Sequence, residues 1–445
     1  MNENIDNNII KASPTKELFI FMLTRDIPLI RAILDLVDNS VDGATSIVTD
    51  GDYSNFWIQI EASEEKFSIS DNCGGISIKT ARDYAFRFGR PKDMELTKGS
   101  IGKFGVGMKR SFFKLGNRFR VDSTTSSSKF IVEHDVRKWL EETENWHFQF
   151  KEKDEKKTDI SENQIGTKIE VAELFENVKK NFCLENYITE IKSEIEKAHA
   201  LTIEKGLSIS FNGQPLGKRT LTFLNSDELK PAFYEKSFEN FGNSVINAKI
   251  YAGISERDYE KGGWYIFCNG RMVLEAEQTS LTTWGISNNM PKYHPDFAYF
   301  KGFVFFDSDD AELLPWTTTK TGVDADSSFY KLIRLEMINI IRPILDFLRN
   351  LATERALVEK EAIDYSPLEK SYQATKEVSY SNINEKGNFI APIKIKIQSR
   401  PQIGRIQYNR PLEDIKKLQK ILKVYSNKAV GEKTFDYFVK MECEE

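Results

Sequence analysis

Four glycines within nine residues, Gly99, Gly102, Gly105 and Gly107, interrupt the chain between two segments that otherwise read as regular structure. Helix and strand both disfavour such a run, because glycine loses more backbone freedom on ordering than any other residue. What the run permits is close approach, since a backbone without Cβ atoms lets N–H groups reach an anion. The pattern that follows predicts a helix from near Val106, whose first N–H groups and positive dipole end would point at the same place. Lys103, Lys109 and Arg110 add positive charge suited to a polyphosphate. The run is neither G-x-x-x-x-G-K-[ST] nor a dinucleotide fingerprint after a first strand. Alone, it reads more readily as an ordinary loop.

Two upstream features change that reading. From Arg31 to Ala44 the sequence is R-A-I-L-D-L-V-D-N-S-V-D-G-A, with Asp35, Asp38, Asn39 and Asp42 at i, i+3, i+4 and i+7. On a helix this spacing makes one polar stripe, while Ile33, Leu36, Val37 and Val41 form the apolar face that buries it. Short oxygen-bearing side chains so placed can hold a hydrated Mg²⁺ and orient a water. Without further context the stripe is only an acidic outer face. Next, two strand-like runs, 56–60 and 67–70, predict a hairpin whose second strand leads into Asp71-Asn72-Cys73-Gly74-Gly75. A carboxylate at a strand end can accept from an amino group of a base, although an Asx turn accounts for Asp71 equally well.

The combination, in this order and within about 80 residues, resembles the GHKL ATPase superfamily, whose Bergerat nucleotide fold is shared by DNA gyrase B, MutL, MORC proteins, large heat-shock chaperones and histidine kinases. The motifs read D-L-V-D-N-S-V-D-G-A, I-S-D-N-C-G-G-I and G-S-I-G-K-F-G-V-G-M-K. The resemblance implies that Asn39 coordinates Mg²⁺ and that Asp35 positions the attacking water as general base. It implies that Asp71, with Gly75, binds adenine and that Gly166-Thr167 lies nearby. It also makes Gly102, Lys103, Phe104, Gly105, Val106, Gly107 and Lys109 a phosphate-binding lid. Two positions depart from the pattern: the base is usually Glu, about 1.5 Å longer than Asp35, and Cys73 stands where a glycine is usual.

Further on, Asn269-Gly270-Arg271 is similar to the strand turn of the transducer domain in gyrase B and MutL. Thr319-Lys320-Thr321 is similar to the loop through which that domain delivers a lysine to the γ-phosphate. Lys320 is thereby cast as a catalytic sensor of terminal charge. A histidine kinase would need a phosphoacceptor histidine and a dimerisation hairpin, and neither is evident.

Length and charge bound the rest. At 445 residues two or three domains are expected. The expected architecture is α+β: a Bergerat α/β sandwich over residues 1–205, a transducer-like domain with a connecting helix over 206–363, a linker over 364–390, and a small basic region over 391–445. Ser13 and Pro14 open the first expected helix. No apolar run approaches the ~20 residues of a membrane span, and the four scattered cysteines point to a reducing cytoplasm. The four histidines are equally dispersed and give a His-based metal site little support. A net charge of −5 gives no overall attraction to nucleic acid, yet residues 386–428 carry 11 Lys or Arg against two acids. The expectation is an ATPase that uses ATP and Mg²⁺ and closes as an ATP-dependent homodimer clamp, with DNA as its partner and no membrane. The alternatives are a chaperone-like ATPase acting on protein clients, or a nucleotide-dependent scaffold with little hydrolysis.

Overall fold

The computed structural model describes residues 12, 14–89, 100–102, 105–142, 145–155, 160–239, 244–286, 290–392 and 404–442. Ser13, Gly99, Lys103, Phe104 and Cys443 lie outside the described residues. The chain forms two compact units. The larger comprises Met1–Ala356 with Ser366–Ile395, and the smaller comprises Leu357–Tyr365 with Lys396–Glu445.

The larger unit holds two principal sheets. Strands β1 (Trp57–Ala62), β2 (Lys66–Asp71), β3 (Gly116–Thr124), β4 (Lys129–Asp135), β5 (Phe150–Asp154), β6 (Gly166–Leu174), β7 (Ser208–Phe211) and β8 (Gln214–Pro215) make the first, in the order β5-β4-β3-β6-β2-β1-β7-β8. β1 and β2 form the expected antiparallel hairpin, and β7 adds parallel to β1. β1 alternates exposed and buried residues, so Ile58, Ile60 and Ala62 face the core while the other side meets water. The core face is covered by helices. An acidic helix, Leu29–Ile47, packs against a lid helix, Gly107–Leu115, which lies on β3 and β6. The expected boundary at residue 205 is therefore too early, because 208–215 still belongs to the first sheet.

The opening helix runs Lys16–Thr24 and is capped by the Thr15 side chain, which accepts from Leu18 N–H. Its Lys16 is buried and donates to the carbonyls of Trp139 and Glu142, whereas Leu18, Phe21 and Met22 are exposed.

β9 (Thr222–Asn225), β10 (Ala232–Phe238), β11 (Ile246–Ile254), β12 (Gly263–Cys268), β13 (Arg271–Glu277), β14 (Phe300–Ser308) and β15 (Lys376–Ser379) follow. The second sheet has the order β10-β11-β14-β12-β13. β12 is buried at every position because both faces of this sheet are covered. Trp264, Ile266 and Cys268 join the main core, which also takes in Phe329, Tyr330 and Ile333 of a long helix, Ser328–Glu359. Tyr265 and Phe267 belong to a second cluster with Phe223, Tyr251, Phe303 and Phe305.

That second cluster corrects the linker expected over 364–390. The segment contains a helix, Pro367–Gln373, and β15, which pairs antiparallel with β9. Val378, Tyr380 and Ile383 pack on the second cluster, and Tyr380 stacks on Phe305 at 5.0 Å. Its apolar anchors are few but spaced to cap one sheet face, and average composition hides this. Buried Glu354 fastens the segment by accepting from Ser366 Oγ at 2.7 Å and Leu368 N at 3.1 Å. Glu354→Ala leaves both donors unpaired, so a loss of about 1–3 kcal/mol is expected. A thermal melt checks this, and an unchanged Tm would return the segment to a linker.

The smaller unit contains the helices Leu412–Leu422 and Asn427–Glu442, which pack on each other. Phe435, Tyr437 and Phe438 are exposed on the second of them. No helix among the described residues is long and apolar enough to cross a membrane.

Candidate nucleotide site

One cavity of about 280 Å³ gathers most of the expected residues. Asp35, Asn39, Asp71, Gly75, Gly102, Gly105, Val106, Gly107, Lys109, Thr167 and Lys320 all line it.

Asp71 ends β2, directly across the ladder from Thr167 at the start of β6. Its Oδ1 accepts from Cys73 N at 2.9 Å and Thr167 N at 3.3 Å, and its Oδ2 accepts from Ser40 Oγ at 2.6 Å. Burial pushes the carboxyl above its usual range, opposed by these three donors. Two glycines make the floor possible. Gly166 has φ +148° and a Cβ there would lie 1.9 Å from the Asp71 carbonyl, while Gly75 has φ +70° and a Cβ would meet the Thr124 carbonyl at 2.1 Å. Cys73, the departure from the family pattern, is buried beneath the acidic helix, with its carbonyl against Gly43.

Asp42 joins the acidic helix to the lid. Its carboxylate accepts from Ile101 N at 2.6 Å and Gly102 N at 2.8 Å, and burial pushes its pKa up to about 6 against the pull of those donors. Gly107 touches Asp35, and a Cβ there would come within 3.3 Å of the carboxylate carbon. Lys109 is more enclosed than its expected phosphate role requires. It donates to the carbonyls of Ala85 and Gly105, and burial pushes its pKa down to about 7.

The second sheet reaches the same cavity. The Asn269-Gly270 turn joins β12 to β13, and Asn269 Nδ2 donates to the carbonyls of Ser100 and Ser308, both at 3.0 Å. Arg271 Nε donates to Asp38 Oδ1 at 2.7 Å, and its Nη1 donates to the Lys320 carbonyl at 3.1 Å. Lys320, at φ +55°, places Nζ 2.7 Å from Asp38 Oδ2 and 3.8 Å from Asp35 Oδ1. Asp38, with no exposure at all, is thus a buried anion between two cations rather than part of an outer face. Burial alone would raise its carboxyl, but Arg271 and Lys320 hold it far below the usual range. His199 Nε2 lies 3.2 Å from Asp38 Oδ1, and burial pushes that imidazole down against the pull of the carboxylate.

Residues 27–167 match the family described as histidine kinase-, DNA gyrase B-, and HSP90-like ATPase. This part of the chain is a GHKL-type ATPase domain. No curated protein matches the chain. The matched stretch of the ATPase domain carries the acidic helix, Asp71, the glycine lid and Thr167, and ends before the second sheet.

The donor set fits an adenine nucleotide with its metal: a carboxylate on the floor, glycine backbone along one wall, and the Asn39 amide on the acidic helix. Sequence reasoning missed Ser40, whose hydroxyl steadies Asp71, and Ser123, which accepts from Ile76 N at 2.7 Å and bonds Thr167 Oγ1 at 2.9 Å. It also missed the pairing of Arg110 with Asp35, through Nε at 3.1 Å and through Nη2. Ser40 sits inside the quoted helix motif beside Asn39, so its position was available. Arg110 was visible only as generic charge.

Proposed function

We propose that the chain is an ATP-hydrolysing molecular switch in which the second sheet reports on the terminal phosphate through Lys320. The observation that carries this reading is Lys320 Nζ, supplied by a loop outside the matched ATPase domain yet 3.8 Å from Asp35 in the cavity floored by Asp71. In this reading Asp71 accepts from the adenine amino group, and Gly102, Gly105, Val106 and Gly107 present backbone to the phosphates with Lys109 beside them. Asn39 holds Mg²⁺, which when bound neutralises phosphate charge. Asp35 orients the water and accepts its proton, and Lys320 stabilises charge on the terminal phosphate.

Two copies then close together through the opening helix, whose Leu18, Phe21 and Met22 face solvent. The basic stretch 386–428 supports DNA as the held partner, through contacts to phosphate that weaken with salt.

The test is steady-state hydrolysis of the full chain. Asp35→Asn is expected to slow turnover roughly 100-fold or more, the worth of a positioned base, while Asp35→Glu stays active. Equal turnover in Asp35→Asn and wild type would remove Asp35 from the chemistry. Sedimentation with a non-hydrolysable ATP analogue is expected to show a dimer, and a monomer under both conditions would refute the clamp. Salt-sensitive DNA binding that tightens with the analogue is expected, and its absence would turn the reading towards protein clients.

A further inference from the structure

The pairing of Arg110 with Asp35 has no part in the roles given above. Both side chains are enclosed, with 13% and 8% of their surfaces exposed, and both line the nucleotide cavity. Arg110 Nε and Nη2 converge on Oδ2 alone, while Oδ1 faces Lys320 Nζ at 3.8 Å. The carboxylate proposed as base is therefore flanked by two cations. A water held by this carboxylate meets an acceptor whose charge is already engaged. The arginine stands on the third residue of the lid helix after Gly107, the glycine whose missing side chain leaves room for Asp35. A planar guanidinium suits a phosphate as well as a carboxylate, and a terminal phosphate carries the larger charge.

We infer that Arg110 is a further phosphate-contacting residue, shared between Asp35 and the terminal phosphate of the nucleotide. The inference rests on the nucleotide-site reading above. When the terminal phosphate draws the guanidinium over, two things happen together. The phosphate gains a two-donor partner, and Asp35 is freed to accept the proton of its water. A diphosphate lacks the competing group, so Arg110 returns to Asp35 after hydrolysis. The residue thus gives the site a preference for triphosphate and links occupancy of that position to release of the base.

The exchange has a measurable cost to affinity, because triphosphate must break the ion pair. Calorimetric titration of the full chain with a non-hydrolysable ATP analogue and with ADP reads it. Asp35→Asn is expected to bind the analogue roughly tenfold more tightly than wild type, the scale of a coupled charge pair, with ADP affinity changed less than about twofold. Arg110→Ala is expected to weaken the analogue roughly tenfold and leave ADP nearly unchanged. In the double variant the gain from Asp35→Asn disappears. Simple repulsion between carboxylate and phosphate predicts instead that the gain survives Arg110→Ala, and that result would overturn the inference. So would equal losses for analogue and ADP in Arg110→Ala. Arg110→Lys, which keeps the charge but not the fork, is expected to recover part of the analogue affinity and guards against a folding defect, monitored by melting. If Asp71→Asn still weakens the analogue while these couplings are absent, the site stands and only the sharing of Arg110 falls.

Discussion

Asp71→Asn is expected to weaken binding of ATP roughly 100-fold, about 2.7 kcal/mol, without unfolding the protein. The magnitude follows from how the carboxylate is used. Oδ1 already accepts from two backbone N–H groups, and Oδ2 accepts from Ser40. An asparagine must keep its oxygen on the two N–H groups, because they can only donate. Its amide nitrogen then replaces Oδ2, where Ser40 can turn to accept from it. The same nitrogen points a donor where an adenine amino group also brings a donor, so an attraction becomes a repulsion. Folding is spared for a reason of sign. The Asp71 carboxyl is raised by burial above its unfolded value, so ionisation favours the unfolded chain. Its contribution is greatest below the unfolded pKa and is lost as pH rises through the folded one, and a neutral amide escapes that loss at pH 7. Calorimetry with a non-hydrolysable analogue and a melting curve measure the two effects separately. Unchanged affinity would take Asp71 out of the site.

The parts of this site that could be read from sequence are those fixed by short-range spacing. The acidic helix, the β1–β2 hairpin ending at Asp71, and the lid helix after Gly105 each depend on a few adjacent residues, and each forms where its pattern places it. The Asn269-Gly270-Arg271 turn and the Lys320 loop were singled out through resemblance, and Arg271 and Lys320 both reach Asp38 on the acidic helix. The roles of Asp38 and Asp42 were not legible. A polar stripe on an amphipathic helix faces water only if nothing polar covers it, and here the covering groups come from remote sequence. Arg271 lies 233 residues from Asp38, and Lys320 lies 282 away. Likewise, Lys109 reads as a free cation until the fold brings the Ala85 carbonyl to it. His199, discounted because the histidines are scattered, closes the same cluster at 3.2 Å from Asp38. Scatter along the chain excludes local motifs and says nothing about assembly in space.

Asp38→Ala is expected to cost about 3–5 kcal/mol of stability, the range for stranding a buried charge. Asp38 is fully buried, and the groups around it, Arg271 at 1% and Lys320 at 8% exposure, are nearly so. Removing this carboxylate takes away the anion that Arg271 and Lys320 share, and leaves Lys320 with only the more distant Asp35, at 3.8 Å. Arg271 is enclosed at the turn that carries it, whereas Lys320 lines the cavity. Arg271 is also held through its bond to the Lys320 carbonyl, so the two loops should loosen together. Thermal melting should fall by several degrees. Removing a cation as well separates lost charge balance from lost packing: Asp38→Ala with Arg271→Met should melt above Asp38→Ala alone. The intact ion cluster is not an efficient way to gain stability, since burying ions is costly and apolar replacements often do as well. Its value lies in registration. One carboxylate holds both Arg271, at the turn of the second sheet, and Lys320, the lysine proposed to meet the terminal phosphate. Turnover in Asp38→Ala should therefore fall further than binding of the ATP analogue does. If turnover and analogue affinity instead fell in step, Asp38 would hold the fold without placing Lys320.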